Sequence, residues 1–121
     1  MSDELNAPEH ELHIPGLDPA LRMQVHSSAD VHVSASIMAE GIWEPLETRF
    51  LQDTLRPGQV FVDVGANIGY FSLVASRLVG VSGEVLAFEP EALNYELLER
   101  NCRLNACDNV RTFKAALGEE N

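Results

Sequence analysis

The most regular feature of the chain is an almost continuous apolar run over residues 60–64, interrupted only by Asp63. Its β-branched residues predict a strand buried on both faces, as in a parallel sheet. Gly65 and Gly69 follow the run, and then apolar residues recur at helical spacing, at Phe71, Val74, Ala75 and Leu78. The pattern predicts a strand, a glycine-rich turn and a helix. Such a turn presents backbone N–H groups at the carboxyl end of a strand, where α/β sheets bind ligands.

The same alternation of strand and helix continues to the end of the chain. Residues 84–88 form a second buried strand that is followed by Glu89 and Pro90, and Pro90 suits the first turn of a helix. Asn105 can end that helix, and residues 109–114 are polar at alternate positions, as an edge strand should be. The helix carries an apolar stripe, Leu93, Leu97, Leu98 and Leu104. The order βαβαβ predicts an α/β fold, a partial Rossmann-like doubly wound sheet with strand order 3-2-1.

The first part of the chain has weaker patterns. Residues 1–20 are polar and rich in proline, and they predict a loosely held lead in which His10 and His13 are solvated. Residues 21–34 alternate with a break at 27–30, which predicts a small β-hairpin. His26 and His32 fall on its polar side, so surface positions are expected, with a role facing substrate as the alternative.

A helix is predicted over residues 44–55, and residues 56–58 end it. Its expected buried stripe is Leu46, Phe50, Leu51 and Leu55. Just ahead lies the single tryptophan, Trp43, expected to anchor the helix by packing. The alternative is that Trp43 and Glu44 reach the mouth of the ligand site. We divide the chain into an N-terminal lead, hairpin and helix over residues 1–57 and a sheet domain over residues 58–121.

Composition narrows the function. A formal charge of −11 argues against nucleic-acid binding and against docking on an anionic membrane, because both depend on Lys and Arg. No apolar run approaches the ~18 residues of a membrane span, and residues 1–6 lack the features of a secretory signal, so the cytoplasm is the expected compartment. Cys102 and Cys107 are expected to be reduced thiols, and no metal site is predicted.

The glycine-rich turn departs from the dinucleotide fingerprint G-x-G-x-x-G. In the fingerprint, the middle glycine allows a pyrophosphate to approach the backbone. Asn67 occupies that position here, so a ligand without a pyrophosphate fits better. Asp63 lies in the apolar strand two residues before Gly65, where a carboxylate needs a partner. It suits a cationic ligand group, and S-adenosylmethionine carries an ammonium and a sulfonium. Glu89, at the end of the neighbouring strand, can accept hydrogen bonds from both hydroxyls of a ribose.

These residues resemble a known family. Residues 63–72 and 88–90, with the later Asn94, Leu97, Asn101 and Asn105, are similar to the FkbM-type methyltransferases, which are class I enzymes that use S-adenosylmethionine and typically act on hydroxyl groups. The resemblance implies that Asp63 and the loop over residues 65–69 surround the methionine part of the cofactor, and that Glu89 holds its ribose. The expected cofactor-binding residues are Asp63, Gly65, Ala66, Asn67, Gly69, Glu89 and Pro90.

The resemblance also implies what the chain lacks. Class I methyltransferases have a seven-stranded sheet, so this chain is expected to be the N-terminal portion of a larger enzyme. The catalytic base is not assigned. The expected acceptor is a hydroxyl of a small molecule, a sugar or a lipid.

Two other functions remain open from the sequence. One is the NAD-type dinucleotide-binding half of an oxidoreductase, which would use the same strand, turn, helix and acid. The other is a non-catalytic interaction module that forms an oligomer through the unfilled edge of the sheet.

Overall fold

The computed structural model describes residues 9–26 and 32–118. Along these ranges the chain forms a small antiparallel pair of strands, then two helices, and then a parallel sheet whose strands alternate with helices. They are β1 (Glu9–Glu11), β2 (Arg22–Gln24), α1 (His32–Glu40), α2 (Pro45–Thr54), β3 (Val60–Val64), α3 (Tyr70–Val79), β4 (Glu84–Phe88), α4 (Ala92–Leu104) and β5 (Val110–Phe113).

The parallel sheet has the order β3-β4-β5, with Val62 opposite Leu86 and Leu86 opposite Arg111. The predicted βαβαβ unit and its 3-2-1 strand order are therefore confirmed. Both crossovers run from a strand to its parallel neighbour, and right-handed connections place α3 and α4 on the same face. That face carries the fully buried Val85 and Ala87, so the core lies between the sheet and these two helices.

The other face of the sheet is uncovered by the described residues. Val60, Val62 and Val64 remain 59%, 49% and 58% exposed. The expectation that this strand is buried on both faces is therefore wrong within the described chain, because α3 and α4 cover only one face. On the open face Phe113 stacks on Phe88, with ring centroids 4.7 Å apart, which extends the apolar surface across all three strands.

A small antiparallel pair of strands precedes the sheet, as predicted, but it does not lie within residues 21–34. β2 pairs antiparallel with β1, with Glu9 opposite Gln24, and His32 begins helix α1 instead of lying in a second strand. The expected break over residues 27–30 lies outside the described residues. A strand pairs with whichever partner the tertiary fold brings to its edge. Here the partner, β1, lies in the segment that the sequence predicted to be a loosely held lead.

The described part of that lead, from residue 9 onward, contributes to the core. Leu12 and Ile14 are 2% and 6% exposed and join the same apolar cluster as Leu97 and Leu98 of α4. A buried Gly41 lies against the ring of His13, because a Cβ on this glycine would be 2.7 Å from Nδ1. His13 therefore contacts the end of α1 with its ring while remaining exposed, which agrees with the predicted solvated position.

The predicted helix over residues 44–55 is confirmed as α2, but its buried stripe is not. Leu46 and Phe50 are 83% and 65% exposed, and the fully buried residue is Thr48. Trp43 is half-buried and packs against the main core, as expected for an anchor. Within the described ranges, no helix is long and apolar enough to cross a bilayer.

Two asparagines, one in α4 and one at its C-cap, complete the free edge of β2. The Asn101 carboxamide accepts from the N–H of Gln24 at 2.7 Å and donates to its carbonyl at 2.9 Å. One turn later, Asn105 accepts from the N–H of Arg22 at 2.9 Å and donates to its carbonyl at 2.7 Å. Each carboxamide presents the same donor and acceptor as a peptide unit, so the helix pairs with the strand as a second strand would.

Candidate functional site

The glycine-rich turn uses the left-handed region of backbone conformation at three alternate positions. Gly65, Asn67 and Gly69 have φ values of 75°, 57° and 107°. Glycine adopts this region without strain, and asparagine tolerates it better than most residues. A Cβ on Gly69 would approach Leu98 Cδ1 to 3.0 Å, so this glycine allows α3 and α4 to pack closely. A Cβ on Gly65 would meet nothing within 4 Å, which leaves space beside the turn for a ligand.

The turn is fixed to the end of β4. The N–H groups of Gly65 and Ala66 both donate to the carbonyl of Phe88 at 2.9 Å. The N–H of Asn67 donates to Glu89 Oε1 at 2.7 Å. The loop and the acid, which the sequence placed on neighbouring strands, are therefore in direct contact.

Glu89 is held from both sides and is only 6% exposed. Its Oε2 accepts from the N–H of Glu91 at 3.1 Å, and its own N–H donates to the carbonyl of Phe113 on β5 at 3.0 Å. A carboxylate oxygen accepts more than one hydrogen bond, so each oxygen keeps capacity for a hydroxyl. The arrangement gives a fixed bidentate acceptor at the carboxyl edge of the sheet.

Asp63 supplies a second carboxylate at the same edge. Burial raises its pKa; a hydrogen bond from Ser72 Oγ to Oδ2 at 2.7 Å opposes the rise, and the negative charge of Glu89 adds to it. A cation beside Asp63 would be favoured, because it would offset the burial and the charge of Glu89 that raise the pKa of Asp63. The sequence did not identify Ser72 as the partner of Asp63, although helical spacing places Ser72 on the first turn of α3.

Asn67 offers a further polar atom. Its Oδ1 is buried and has no hydrogen-bond partner among the described residues. Buried polar atoms are nearly always hydrogen-bonded, so this oxygen fits a donor group of a ligand. The three side chains Asp63, Asn67 and Glu89 together form an acceptor-rich site beside the glycine-rich turn.

Pro90 differs from its expected role. It is exposed and precedes the N-cap of α4, so it is not in the first turn of the helix. Glu91 is the cap, and its side chain accepts from the N–H of Asn94 at 2.8 Å. An acidic residue at a helix N-terminus is favourable for the helix dipole. The capping bond lowers the pKa of Glu91.

His26 is buried, whereas the sequence predicted a surface position. It is 7% exposed, its Nε2 lies 2.6 Å from Asn94 Oδ1, and its N–H donates to Ser34 Oγ at 2.9 Å. His26 thus ties the N-terminal segment to the start of α4, one turn from Glu91. No local signal in the sequence indicates this contact, because it joins positions 68 residues apart.

A second missed contact links α2 to the start of α3. Thr48 Oγ1 donates to the carbonyl of Trp43 at 2.9 Å and lies 3.0 Å from the hydroxyl of Tyr70. Burial raises the pKa of Tyr70, while the bond with Thr48 opposes the rise. Glu44 has φ 48° at the N-cap of α2 and makes no side-chain capping bond. Both residues contact α2 through their carbonyls, because that of Trp43 accepts from Thr48 Oγ1 and that of Glu44 accepts from the N–H of Thr48.

The cysteines form neither a disulfide nor a metal centre. Cys102 and Cys107 are free thiols, as predicted, and burial raises the pKa of Cys102 to about 12. In the described part of the chain, no group of three or more His, Cys, Asp or Glu side chains could hold a metal ion.

Solved structures that are similar to this chain share its fold. TYW2 of P. horikoshii, in complex with MeSAdo, matches with a TM-score of 0.63 and 20% identity over 83% of this chain and 34% of that one. A SAM-dependent O-methyltransferase from Thermotoga maritima matches with a TM-score of 0.57 and 27% identity over 66% of this chain and 32% of that one. The chain has the Rossmann-like α/β fold of class I methyltransferases.

Comparison of sequences identifies individual methyltransferases that are similar to this chain. The chain is 36% identical over 86 residues to Methyltransferase sdnD of Sordaria araneosa, covering 69% of this chain and 33% of that protein. It is 34% identical over 71 residues to the ribosomal protein L11 methyltransferase of Thermoanaerobacter pseudethanolicus, covering 59% of this chain and 22% of that protein. This chain therefore spans about a third or less of these relatives. Residues 63–120 match the Methyltransferase FkbM domain, and this part of the chain belongs to that family.

Proposed function

We propose that this chain forms the cofactor-binding part of an S-adenosylmethionine-dependent O-methyltransferase. The observation that carries the proposal is the Asn67–Glu89 contact at 2.7 Å beside Asp63. It joins a carboxylate suited to ribose hydroxyls with a carboxylate suited to a cation. Membership of the FkbM family supports the same conclusion.

The residues present fit this cofactor. Glu89 would accept the ribose hydroxyls, because both of its oxygens are oriented by backbone N–H groups and retain acceptor capacity. Asp63 and the turn over residues 65–69 would face the cationic methionine end. Gly65 leaves open space there, and Asn67 Oδ1 is an unused acceptor. Pro90, which is exposed beside Glu89, would border the ribose.

When bound, S-adenosylmethionine supplies a methyl group that its sulfonium has already activated. The protein contributes binding and orientation, since methyl transfer requires the acceptor oxygen to be held in line with the bond that breaks. The described residues that we assign, Asp63, Asn67 and Glu89, serve this purpose by fixing the cofactor. We assign no general base among them.

For the acceptor, we propose a hydroxyl of a small molecule, a sugar or a lipid. The formal charge of −11 disfavours a polyphosphate acceptor, because the chain has only 8 Lys and Arg against 19 Asp and Glu. One sequence relative is a ribosomal protein L11 methyltransferase, and one structure with a similar fold is a putative rRNA-methylase from Clostridium thermocellum. Protein and RNA acceptors therefore belong in the test.

The dinucleotide alternative is disfavoured by Asn67. Its side chain stands where the fingerprint has the glycine that admits a pyrophosphate, and two carboxylates nearby would repel one. The interaction-module alternative is favoured only by the open face of the sheet, and it leaves the paired acids and the turn without a role.

Isothermal titration calorimetry of the protein with S-adenosylhomocysteine and with NAD tests the cofactor. We expect binding of the first and none of the second; the reverse would overturn the proposal. A second assay follows transfer of a labelled methyl group to small-molecule hydroxyls, sugars, lipids, ribosomal protein and rRNA. Labelling of only protein or RNA would contradict the acceptor while leaving the cofactor assignment intact.

A further inference from the structure

Asn101 of α4 lies fully buried between two parts of the chain that are distant in sequence. Its carboxamide accepts from Gln24 N–H at 2.7 Å and donates to the carbonyl of Gln24 at 2.9 Å. The second N–H of the same amide donates to the carbonyl of Ile68 at 2.9 Å. Ile68 belongs to the glycine-rich turn, so one side chain bonds strand β2 and the cofactor loop at the same time.

Among the described residues, Phe88 and Glu89 anchor the loop from the carboxyl end of β4, and Asn101 anchors it from α4. Gly65 and Ala66 are held by the carbonyl of Phe88, and Asn67 is held by the Glu89 carboxylate. Both of these anchors act on N–H groups at the start of the loop. The bond from Asn101 acts on a carbonyl at its end, immediately before Gly69, whose φ of 107° must be maintained.

We propose that Asn101 is a positioning residue for the cofactor, and that β2 and the N-terminal segment brace the loop through it. This inference rests on the proposed function. The side chain of Asn101 is 0% exposed and uses both of its N–H donors, so water cannot replace the bonds that it makes. Its orientation is fixed by the pair of bonds to Gln24, and that orientation aims the remaining donor at Ile68.

Asn105 provides a matched control. It makes the same pair of bonds to the backbone of Arg22, and its amide also donates to the carbonyl of Asn101 at 2.8 Å. None of these partners belongs to the loop. Replacing Asn105 therefore loosens the strand on the helix without removing the anchor of Ile68.

The first experiment compares Asn101→Leu with Asn105→Leu. We expect Asn101→Leu to weaken binding of S-adenosylhomocysteine about tenfold or more, since a buried carbonyl of the loop loses its donor. KM for S-adenosylmethionine should rise with little change in kcat at saturation. Asn105→Leu should lower the melting temperature and leave the Kd within about twofold. Equal affinity of both variants and the wild type would overturn the inference.

The second experiment needs no variant, so it holds if Asn101→Leu does not fold. Hydrogen exchange of the wild-type protein is measured with and without S-adenosylhomocysteine. Binding that fixes the loop must stabilise the strand that shares Asn101 with it, because coupling is reciprocal. We expect slower exchange of the Gln24 amide in the complex. Ligand binding without any change at Gln24 would overturn the brace, whereas no binding at all would instead count against the proposed cofactor.

Discussion

The N–H of Asn67 donates to Glu89 Oε1 at 2.7 Å, although these residues lie 22 positions apart. This bond joins the glycine-rich turn after β3 to the acid after β4. The backbone of Glu91 binds the other carboxylate oxygen. The acid is therefore oriented before any ligand arrives, which lowers the entropy lost on binding.

Glu89→Ala tests this relationship. A hydrogen bond to a charged group contributes roughly 1.5–3 kcal/mol, so we expect the affinity for S-adenosylhomocysteine to fall about tenfold or more. Glu91→Ala is the matched control, because Glu91 caps α4 with its side chain but supports Glu89 only through its backbone. The control should lower the stability slightly, through the lost cap, and keep its affinity. Similar affinity losses in both variants would show that the Glu89 side chain has no special role.

Asp63→Asn should have opposite effects on stability and binding. The pKa of Asp63 is raised in the folded state, mainly by burial, so its stability penalty appears as the pH rises from about 4 through the folded pKa. We expect the substitution to raise the melting temperature by a few degrees at pH 7 and to have no effect at pH 3, where both states are protonated. The amide still accepts from Ser72, as Asp63 does.

The same substitution should weaken binding of the cationic cofactor. In the wild type, affinity should increase as the pH rises through the folded pKa of Asp63, because only the carboxylate attracts the cation. Calorimetry with S-adenosylmethionine at several pH values measures this. A pH dependence of equal size in Asp63→Asn would assign the effect to another group.

The open face of the sheet predicts a third result. Val62 is 49% exposed, so Val62→Lys should change the free energy of unfolding by less than about 0.5 kcal/mol. It should reduce self-association of the 121-residue chain, measured by light scattering over a concentration series. Val85, which is 0% exposed on the other face, is the control, and Val85→Ala should lose about 2 kcal/mol. A large destabilisation by Val62→Lys would show that this face is covered in solution.

The two thiols should react slowly in the native protein. Burial raises the pKa of Cys102 to about 12 and also raises the pKa of Cys107, and the thiolate is the reactive form. We expect a disulfide reagent at pH 8 to label Cys102 at a rate limited by opening of the fold, and both thiols rapidly in denaturant. The variant Cys107→Ser isolates the signal of Cys102. Immediate labelling of native Cys102 would contradict its burial.

The sequence by itself determined the sheet domain and the residues of the candidate site. Strands β3 to β5 and helices α2 to α4 follow from local patterns and short, right-handed connections, which restrict the arrangement of neighbouring strands. Asp63, Gly65, Gly69 and Glu89 are identifiable because each stands next to a strand end, and the carboxyl ends of parallel strands meet at one edge.

Only the tertiary structure decided the partners of the N-terminal segment and the burial of each face. β2 pairs with β1 and with Asn101 and Asn105, and His26 contacts Asn94, across separations that no local pattern encodes. The apolar run of β3 resembles that of a strand covered on both sides, yet coverage depends on which elements pack above and below it. The hydrophobic pattern of a sequence predicts that a side chain is buried away from water, whereas the tertiary structure decides which group covers it.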